Sequence, residues 1–253
     1  MSDDVVIRVR NLHRAFNDQQ VLAGVDLDVP HGGTTVVIGR SGIGKSVLLK
    51  HIIGLMKPDE GQIWIDGEDV TPLPIKEMDH VRRKFGMLFQ NAALFDSMNV
   101  FDNVAFPLRE HTRLNRGEIE DRVREKLRLV GLDGAEGKMP SELSGGMRKR
   151  VGLARAIALD PPIILYDEPT TGLDPILCDT IDRLIMRMQE ELDVTSVVIS
   201  HDIEGAFKIG DRIAMLHDGR IRTSGTPEEI RNTEDPVVRQ FITGSADGPI
   251  QVA

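Results

Sequence analysis

The sequence predicts an α/β protein with a parallel-stranded core, an antiparallel β subdomain and a helical insert. Apolar, β-branched runs alternate with stretches of helical spacing, which is typical of a parallel sheet covered by helices. Those runs lie at 34–38, 162–166 and 194–199. Alternation of polar and apolar residues at 62–65, followed by an Asp-Gly turn, indicates an antiparallel hairpin beside that core. Residues 91–160 show helical periodicity and no convincing strand, so we expect the insert there.

The ends of the chain add further antiparallel structure. Short strands are predicted at 5–9 and 25–29, on either side of a polar turn at 17–20. A last hairpin is predicted at 212–223, around an Asp-Gly turn. The tail at 244–253 has no periodicity, so we expect it to be extended or docked on a partner.

Composition narrows the class of protein. The chain has 253 residues, of which 40% are hydrophobic, and its net charge is −9. That charge opposes sequence-blind binding to nucleic acid, and we expect no nucleic-acid partner. The single cysteine, Cys178, cannot form an internal disulfide, which suits a reducing cytoplasm. Neither a signal peptide nor an apolar run of about 18 residues is visible, so we expect a soluble protein.

A glycine-rich loop follows the predicted strand at 34–38. It has Gly, four free positions, then Gly, Lys and Ser, which is the pattern that holds nucleotide phosphates. The residues expected to contact the nucleotide are Gly39, Arg40, Ser41, Gly42, Ile43, Gly44, Lys45, Ser46 and Val47. Lys45 can reach the terminal phosphates, and the Ser46 hydroxyl can ligate Mg²⁺. The strand before the loop and the helix after it favour phosphate binding over a turn that matches by chance.

Two carboxylates, Asp167 and Glu168, follow the predicted strand at 162–166. Acids at the end of a strand are usually solvated loop residues. Downstream of a phosphate loop they favour a catalytic interpretation, in which Asp167 holds Mg²⁺ and Glu168 orients an attacking water. His201 follows the strand at 194–199, where α/β sheets bind ligands, although a histidine there is more often structural.

Three weaker signals have ordinary structural explanations. Ser144, Gly145 and Gly146 can form an anion-binding helix start, but a plain helix cap is the more common explanation of such a tripeptide. Asp174 is placed as the N-cap of a helix whose apolar residues recur over 177–192. Phe16, in the first hairpin region, is by position alone most simply a core aromatic.

Taken together, these motifs resemble ATP-binding cassette (ABC) ATPases in order and spacing over nearly the whole chain. The resemblance implies ATP and Mg²⁺ as ligands, with Lys45, Glu168 and His201 as catalytic groups. Phe16 matches the aromatic that stacks on adenine, and His201 matches the histidine that contacts the γ-phosphate. Gln90 matches the residue that contacts both magnesium and the transport subunit, so the implied magnesium shell is Ser46, Gln90 and Asp167.

The resemblance also implies the organisation of the protein. It would be a single ABC ATPase domain over 1–253, with a core and β subdomain at about 1–90 and 161–243. The helical insert would span about 91–160, and the tail 244–253. Two copies would form a head-to-tail dimer around two ATP molecules. Ser144, Gly145, Gly146 and Asp174 would then face the ATP held by the other copy.

Several segments carry a closer resemblance, to the ATPase subunits of Mla phospholipid transporters (MlaF-type). They lie at 88–104, 107–112, 139–147, 238–241 and 246–249. Met147 replaces the Gln usual in the general family and agrees with this subfamily. The resemblance implies a place on the cytoplasmic face of a bacterial inner membrane, bound through a permease. It also implies a periplasmic MCE-domain lipid-binding protein and a small STAS-domain protein as partners.

Two alternatives share this chemistry. The first is the ATPase of a polar-solute importer, which differs only in its partners. The second is a soluble ABC ATPase that acts in assembly or repair without a permease. Related ATPases of the lipid-transport type also serve mycobacterial lipid or sterol import and plastid lipid import, so the sequence leaves the particular system open.

Overall fold

The computed structural model describes residues 5–17 and 19–251. The strands are β1 Val5–Phe16, β2 Gln19–Pro30, β3 Thr34–Ile38, β4 Glu60–Ile65, β5 Glu68–Asp69, β6 Phe85–Leu88, β7 Ile163–Asp167, β8 Thr195–Ser200, β9 Arg212–His217 and β10 Arg220–Gly225. The helices are α1 Lys45–Ile52, α2 Asp79–Arg82, α3 Val100–His111, α4 Arg116–Leu129, α5 Gly145–Ala156, α6 Pro175–Leu192, α7 Ile203–Ile209, α8 Pro227–Arg231 and α9 Pro236–Thr243. Short 3-10 turns occur at Ile75–Glu77 and Pro140–Glu142.

The chain divides into two compact units. The first unit comprises residues 1–82 and 197–253, and the second unit comprises residues 83–196. Three parts of the sequence predictions lie outside the described residues: the N-terminal residues 1–4, Asp18 of the polar turn, and the last two residues of the tail. In the part of the chain that is described, none of the helices has the length and apolarity needed to cross a membrane.

An antiparallel sheet in the order β2-β1-β4-β5 lies in the first unit. Alternate side chains of β1 point into the core, and Ile7 and Val9 are fully buried. Ile7 faces Val29 of β2 on one side and Ile65 of β4 on the other. The polar face of the same strand carries Arg8 and Arg10, and both pair with Asp28 of β2.

The phosphate loop follows a strand that is buried along its whole length. All five residues of β3 are buried, which is the pattern of a parallel strand covered on both faces. β3 runs parallel to β9, and Ile38 at its carboxyl end faces Met215. β10 returns antiparallel to β9, as the predicted hairpin requires.

The second unit contains the parallel pair β6 and β7 and the helices α3 to α6. Residues 91–160 are all described, and they form helices without any strand. Gly86 of β6 permits a close approach to α5, because a Cβ there would lie 2.4 Å from the Ala156 carbonyl oxygen. Buried Lys126 of α4 is paired with Glu125 and with Asp160, which follows α5. This ion cluster ties α4 to the segment that leads into β7.

The C-terminal tail folds back onto α9. Gly244 ends that helix in a left-handed conformation. The Gln240 amide then donates a hydrogen bond to the Ile250 carbonyl at 3.1 Å and accepts one from the Ile250 N–H at 2.6 Å. Ile250 is buried as a result. The described part of the tail is therefore held by its own chain.

Candidate functional site

The phosphate loop joins β3 to α1 in the first unit. Gly44 is the N-cap of α1 and has a φ of 110°, in the left-handed region that favours glycine. A Cβ at this position would lie only 2.8 Å from Val21 Cγ1. The sequence therefore needs glycine here for two reasons, backbone conformation and space. The loop places the N–H groups of the first turn of α1 at the end of β3, which is the geometry of an anion site.

Lys45, the first residue of α1, is 3% exposed. Its Nζ donates hydrogen bonds to the carbonyl oxygens of Gly39 at 2.7 Å and Arg40 at 3.0 Å. These bonds hold the ammonium inside the loop, where it adds a full positive charge to the helix N-terminus. Arg40 itself is exposed, and its guanidinium donates to the carbonyl of Gln251 in the tail at 3.2 Å. Ser46 and Val47 follow in the first turn of the helix and are partly exposed.

Phe16 and His201 are the other predicted site residues of the first unit. Phe16 ends β1 and is 38% exposed, so it is not the core aromatic that its position alone suggests. The Arg14 guanidinium carbon lies 4.9 Å from the centre of the Phe16 ring. His201 is exposed and follows β8 directly. The next residue, Asp202, caps α7 by accepting the Gly205 N–H.

The predicted carboxylates lie at the end of β7 in the second unit. Asp167 is the last residue of the strand and is buried. Glu168 follows it with a φ of 48°, a left-handed conformation that is unusual for a residue other than glycine. The Thr171 hydroxyl donates a hydrogen bond to Glu168 Oε2 at 3.0 Å. The position of this carboxylate is therefore fixed from its own loop.

Lys149 contacts the candidate site, and the sequence did not reveal this contact because a basic run such as that at 148–150 is usually a solvated helix face. The structure buries Lys149, and its Nζ donates to the Glu168 carbonyl oxygen at 3.2 Å. Burial lowers the pKa of this ammonium, and the carboxylates of Asp167 and Glu168 partly offset that effect. A signal was present in the spacing, since Lys149 lies three residues after Gly146 and four before Leu153 on the buried side of α5.

Gln90 lies just beyond β6, at the start of a strained turn. Ala92 and Ala93 both adopt left-handed conformations, with φ values of 59° and 47°. The Arg155 guanidinium donates one hydrogen bond to each of their carbonyl oxygens, both at 2.8 Å. Burial lowers the pKa of Arg155. The turn after Gln90 is thereby fastened to α5.

The Ser-Gly-Gly sequence begins α5, as predicted. Ser144 is the N-cap, and its Oγ accepts the Met147 N–H at 3.3 Å. Asp174 likewise caps α6, because its Oδ1 accepts the N–H groups of Ile176 and Leu177, both at 3.0 Å. The second unit brings several predicted residues and newly found ones into one groove of about 330 Å³. Its lining includes Gln90, Gly145, Lys149, Thr171 and Leu173.

The predicted magnesium ligands have suitable chemistry. A hydroxyl, an amide oxygen and a carboxylate are the oxygen donors that Mg²⁺ prefers. Ser46 lies in the phosphate-loop helix, Asp167 is the last residue of β7, and Gln90 lies just beyond β6. No cluster of three or more His, Cys, Asp or Glu side chains suited to a metal occurs among the described residues.

Comparison with known proteins identifies the family. A family model described as "ABC transporter" matches residues 22–171. The chain is 48% identical over 246 residues to the "probable ribonucleotide transport ATP-binding protein mkl" of Mycobacterium leprae, covering 97% of this chain and 71% of that protein. It is 46% identical over 246 residues to the "intermembrane phospholipid transport system ATP-binding protein MlaF" of Haemophilus influenzae, covering 97% and 93%.

A solved structure agrees with these relatives. The dimeric post-hydrolysis state of the ATP-binding cassette MJ0796, bound to ADP and Pi, superposes with a TM-score of 0.80. The two sequences are 34% identical, and the match covers 87% of this chain and 98% of that one. With the phosphate loop, the carboxylates that end β7 and the Ser-capped helix all present, the chain belongs to the ABC transporter family and is an ATP-binding ATPase of that family.

Proposed function

We propose that this protein is the ATP-hydrolysing subunit of a bacterial inner-membrane transporter that moves phospholipid between the inner membrane and the periplasm or outer membrane. The observation that supports this is the similarity to MlaF proteins along nearly the full length of both chains. The similarity includes the region after Gln90, where a family permease would dock. We place the protein on the cytoplasmic face of that membrane, held there by the permease.

The first unit would bind the nucleotide. The amides of the phosphate loop and the Lys45 ammonium would hold the β- and γ-phosphates, and Phe16 would stack on adenine. His201 would contact the γ-phosphate. Mg²⁺, held by Ser46, Gln90 and Asp167, would neutralise charge on the phosphate oxygens.

Glu168 would act on the attacking water. Its carboxylate accepts a hydrogen bond from Thr171, and its backbone carbonyl accepts one from Lys149, so both ends of the residue are fixed. A carboxylate held in this way can orient the water and take its proton as the water oxygen bonds to the γ-phosphorus and the bond from that phosphorus to the oxygen of the departing ADP breaks. Loss of the carboxylate would leave binding intact and slow the chemical step.

Two copies would be needed for turnover. We propose a head-to-tail dimer in which Ser144, Gly145 and Gly146 of one copy close on ATP held by the other, with Asp174 at the interface. ABC cassettes work as dimers within transporters, and MJ0796 is dimeric in its structure with ADP and Pi. The finer partners we propose are the permease, a periplasmic MCE-domain protein and a small STAS-domain protein.

We further propose one ABC ATPase domain, with a core and β subdomain at about 1–90 and 161–243. The helical insert would span about 91–160. That insert, through the turn after Gln90, would carry the effect of ATP binding to the permease.

A polar-solute importer is the second candidate. The name of the mycobacterial relative, a probable ribonucleotide transport protein, favours it, and the sequence identity to that relative is slightly higher. The chemistry at the nucleotide would be unchanged, and only the cargo and the permease would differ.

Purification of the native complex from membranes separates the candidates. We expect a permease, an MCE-domain protein and bound phospholipid to co-purify with this chain. A polar-solute permease with a soluble substrate-binding protein and no lipid would overturn the phospholipid proposal. Recovery of the chain without any membrane protein would favour the soluble ATPase.

A further inference from the structure

We propose that Arg14 is a positioning residue for the nucleobase: it fixes the Phe16 ring in the orientation that adenine stacks on. This inference rests on the proposed function, in which Phe16 takes the base. It adds a residue that does not touch the nucleotide and acts only through Phe16.

Contacts on two sides hold the Arg14 guanidinium. Its Nη1 donates to Asp59 Oδ1 at 2.6 Å and more weakly to the Lys57 carbonyl at 3.4 Å. The guanidinium carbon lies 4.9 Å from the centre of the Phe16 ring, within the range of a cation–π interaction. The Arg14 side chain is 27% exposed, so the pair is only partly screened by water. The ring is thus backed by a cation that is itself anchored.

Asp59 connects this cation to the backbone beside Phe16. Its Oδ2 accepts the Ala15 N–H at 2.7 Å, and its own N–H donates to the His13 carbonyl at 3.0 Å. The Ala15 N–H and the Arg14 charge hold the pKa of this carboxyl below its usual range, so it is ionised at neutral pH. One carboxylate therefore fixes both the side chain behind the ring and the end of β1 that carries it.

The arrangement lowers the cost of binding a base. An exposed aromatic at the end of a strand is otherwise free to change rotamer, and ordering it on binding costs free energy. Phe16 remains 38% exposed, so the contact with Arg14 leaves part of the ring available. Lys57 and Asp59 belong to the turn that follows α1. The same contacts therefore connect the end of β1 that carries Phe16 to the segment after the phosphate-binding helix.

The test compares ATP with a ligand that has no base. In the purified membrane complex, kcat and KM for ATP and the inhibition constant of inorganic tripolyphosphate are measured for Arg14→Ala, Arg14→Lys, Asp59→Asn and Phe16→Ala. Arg10→Ala is the matched control, since Arg10 lies on the same strand and pairs with Asp28. We expect Arg14→Ala to raise KM about two- to fivefold, the scale of an exposed cation–π contact, with kcat nearly unchanged.

Further expected results show whether Arg14 affects ATP binding through Phe16. Tripolyphosphate should inhibit all variants equally, Arg10→Ala should behave as wild type, and Arg14→Lys should fall between wild type and Arg14→Ala. Adding Arg14→Ala to Phe16→Ala should change KM no further, because the two residues act as one unit. If Arg14→Ala proves unstable, Arg14→Lys and Asp59→Asn decide the question by the same comparison.

The experiment gives different results if the proposed role of Phe16 is wrong and if only the positioning role of Arg14 is wrong. An unchanged KM in Phe16→Ala would show that the base does not stack there, and the proposed role of Phe16 would fall. A raised KM in Phe16→Ala with wild-type behaviour in the Arg14 variants would overturn only the positioning role. Weaker tripolyphosphate inhibition in Arg14→Ala would also overturn it, since the effect would then reach the phosphates.

Discussion

At the scale of single residues, Glu168 has a strained backbone conformation and is held in place by hydrogen bonds from two neighbouring side chains. A left-handed conformation costs a residue other than glycine roughly 1–2 kcal/mol. The hydrogen bond from Lys149 to its carbonyl and that from Thr171 to its carboxylate offset this cost. A buried ammonium with a lowered pKa is itself costly, so its place beside the proposed catalytic carboxylate points to a role in holding it.

Lys149→Met tests that role. We expect ATP affinity to be retained and kcat to fall about 10- to 100-fold, because the Glu168 backbone loses the hydrogen bond from Lys149 and so holds the carboxylate less firmly. Lys149→Arg should recover part of the activity, and the exposed Lys138 provides a Lys→Met control in the same unit. Steady-state kinetics with the membrane complex is the measurement, and wild-type kcat in Lys149→Met would contradict the account.

His51 makes stability depend on pH. It is buried in α1, with Nδ1 within 2.7 Å of the Val47 carbonyl, and burial lowers its pKa below the ordinary 6.5. Nearby Arg14 lowers it further, while Asp59 acts in the opposite direction. Below about pH 6.5 the unfolded chain binds a proton that the folded chain resists. The stabilisation present above that pH is therefore lost as pH falls, by at most about 1.4 kcal/mol per pH unit.

Urea unfolding between about pH 8 and pH 5 checks this. We expect the stability of the wild type to fall more steeply below about pH 6.5 than that of His51→Gln. His31→Gln, at an exposed histidine, is the control and should follow the wild type. Parallel curves for the wild type and His51→Gln would mean that His51 contributes nothing to the acid response.

At the scale of elements, α5 is the central connection of the second unit. Ser144 caps its first turn, and Arg155 near its last turn holds the carbonyls of Ala92 and Ala93. The 12 residues of α5 make the helix about 18 Å long. A stiff helix of that length moves as one piece, so the Ser-Gly-Gly start of α5 and the turn after Gln90 would shift together.

Ala93→Gly tests the strain in that turn. Glycine usually costs about 0.5–1 kcal/mol in place of alanine, but at a left-handed position it removes roughly 1–2 kcal/mol of steric cost. We expect Ala93→Gly to be neutral or stabilising in urea unfolding. Ala105→Gly, inside α3, should destabilise the protein. Equal losses in both variants would argue against strain at Ala93.

The elements also show where sequence patterns stop being informative. Strands predicted at 5–9 and 25–29 are in fact the 12-residue strands β1 and β2. Register shifts, such as that between Val9 and Leu12, break the alternation of side chains while the backbone pairing continues. The strand predicted at 162–166 is observed at Ile163–Asp167, because a fully buried parallel strand is apolar throughout.

Predictability differs in the same way across the candidate site. The phosphate loop, the acids after β7 and the caps at Ser144 and Asp174 follow from local sequence, because local geometry dictates each of them. Arg14 and Lys149 do not, since their partners lie 45 and 19 residues away along the chain. Such contacts depend on tertiary packing, which a local pattern does not encode.

At the scale of the whole molecule, the residues proposed for ATP binding and hydrolysis are divided between the two units. The first unit contains the phosphate loop, Phe16 and His201, and the second contains Gln90, the two carboxylates and the Ser144 helix. Two anion-binding helix starts in one chain are explained if each serves a different nucleotide. That explanation requires the dimer we propose.

Glu168→Gln tests the dimer and the catalytic role together. We expect this variant to bind ATP but hydrolyse it at least about 100-fold more slowly, because an amide cannot accept the proton. With ATP and Mg²⁺ the closed dimer should then accumulate in the membrane complex, measured by cross-linking across the interface. Fast hydrolysis would remove Glu168 from its role, and slow hydrolysis without closure would remove the proposed dimer.

Survival of a deletion strain in detergent and chelator tests whether ATP hydrolysis by this protein moves phospholipid. We predict that the deletion strain is sensitive, that the wild-type gene restores resistance and that Lys45→Ala does not, with uptake of polar solutes unchanged throughout. An intact envelope barrier in the deletion strain, together with loss of uptake of a polar solute such as a ribonucleotide, would contradict the account.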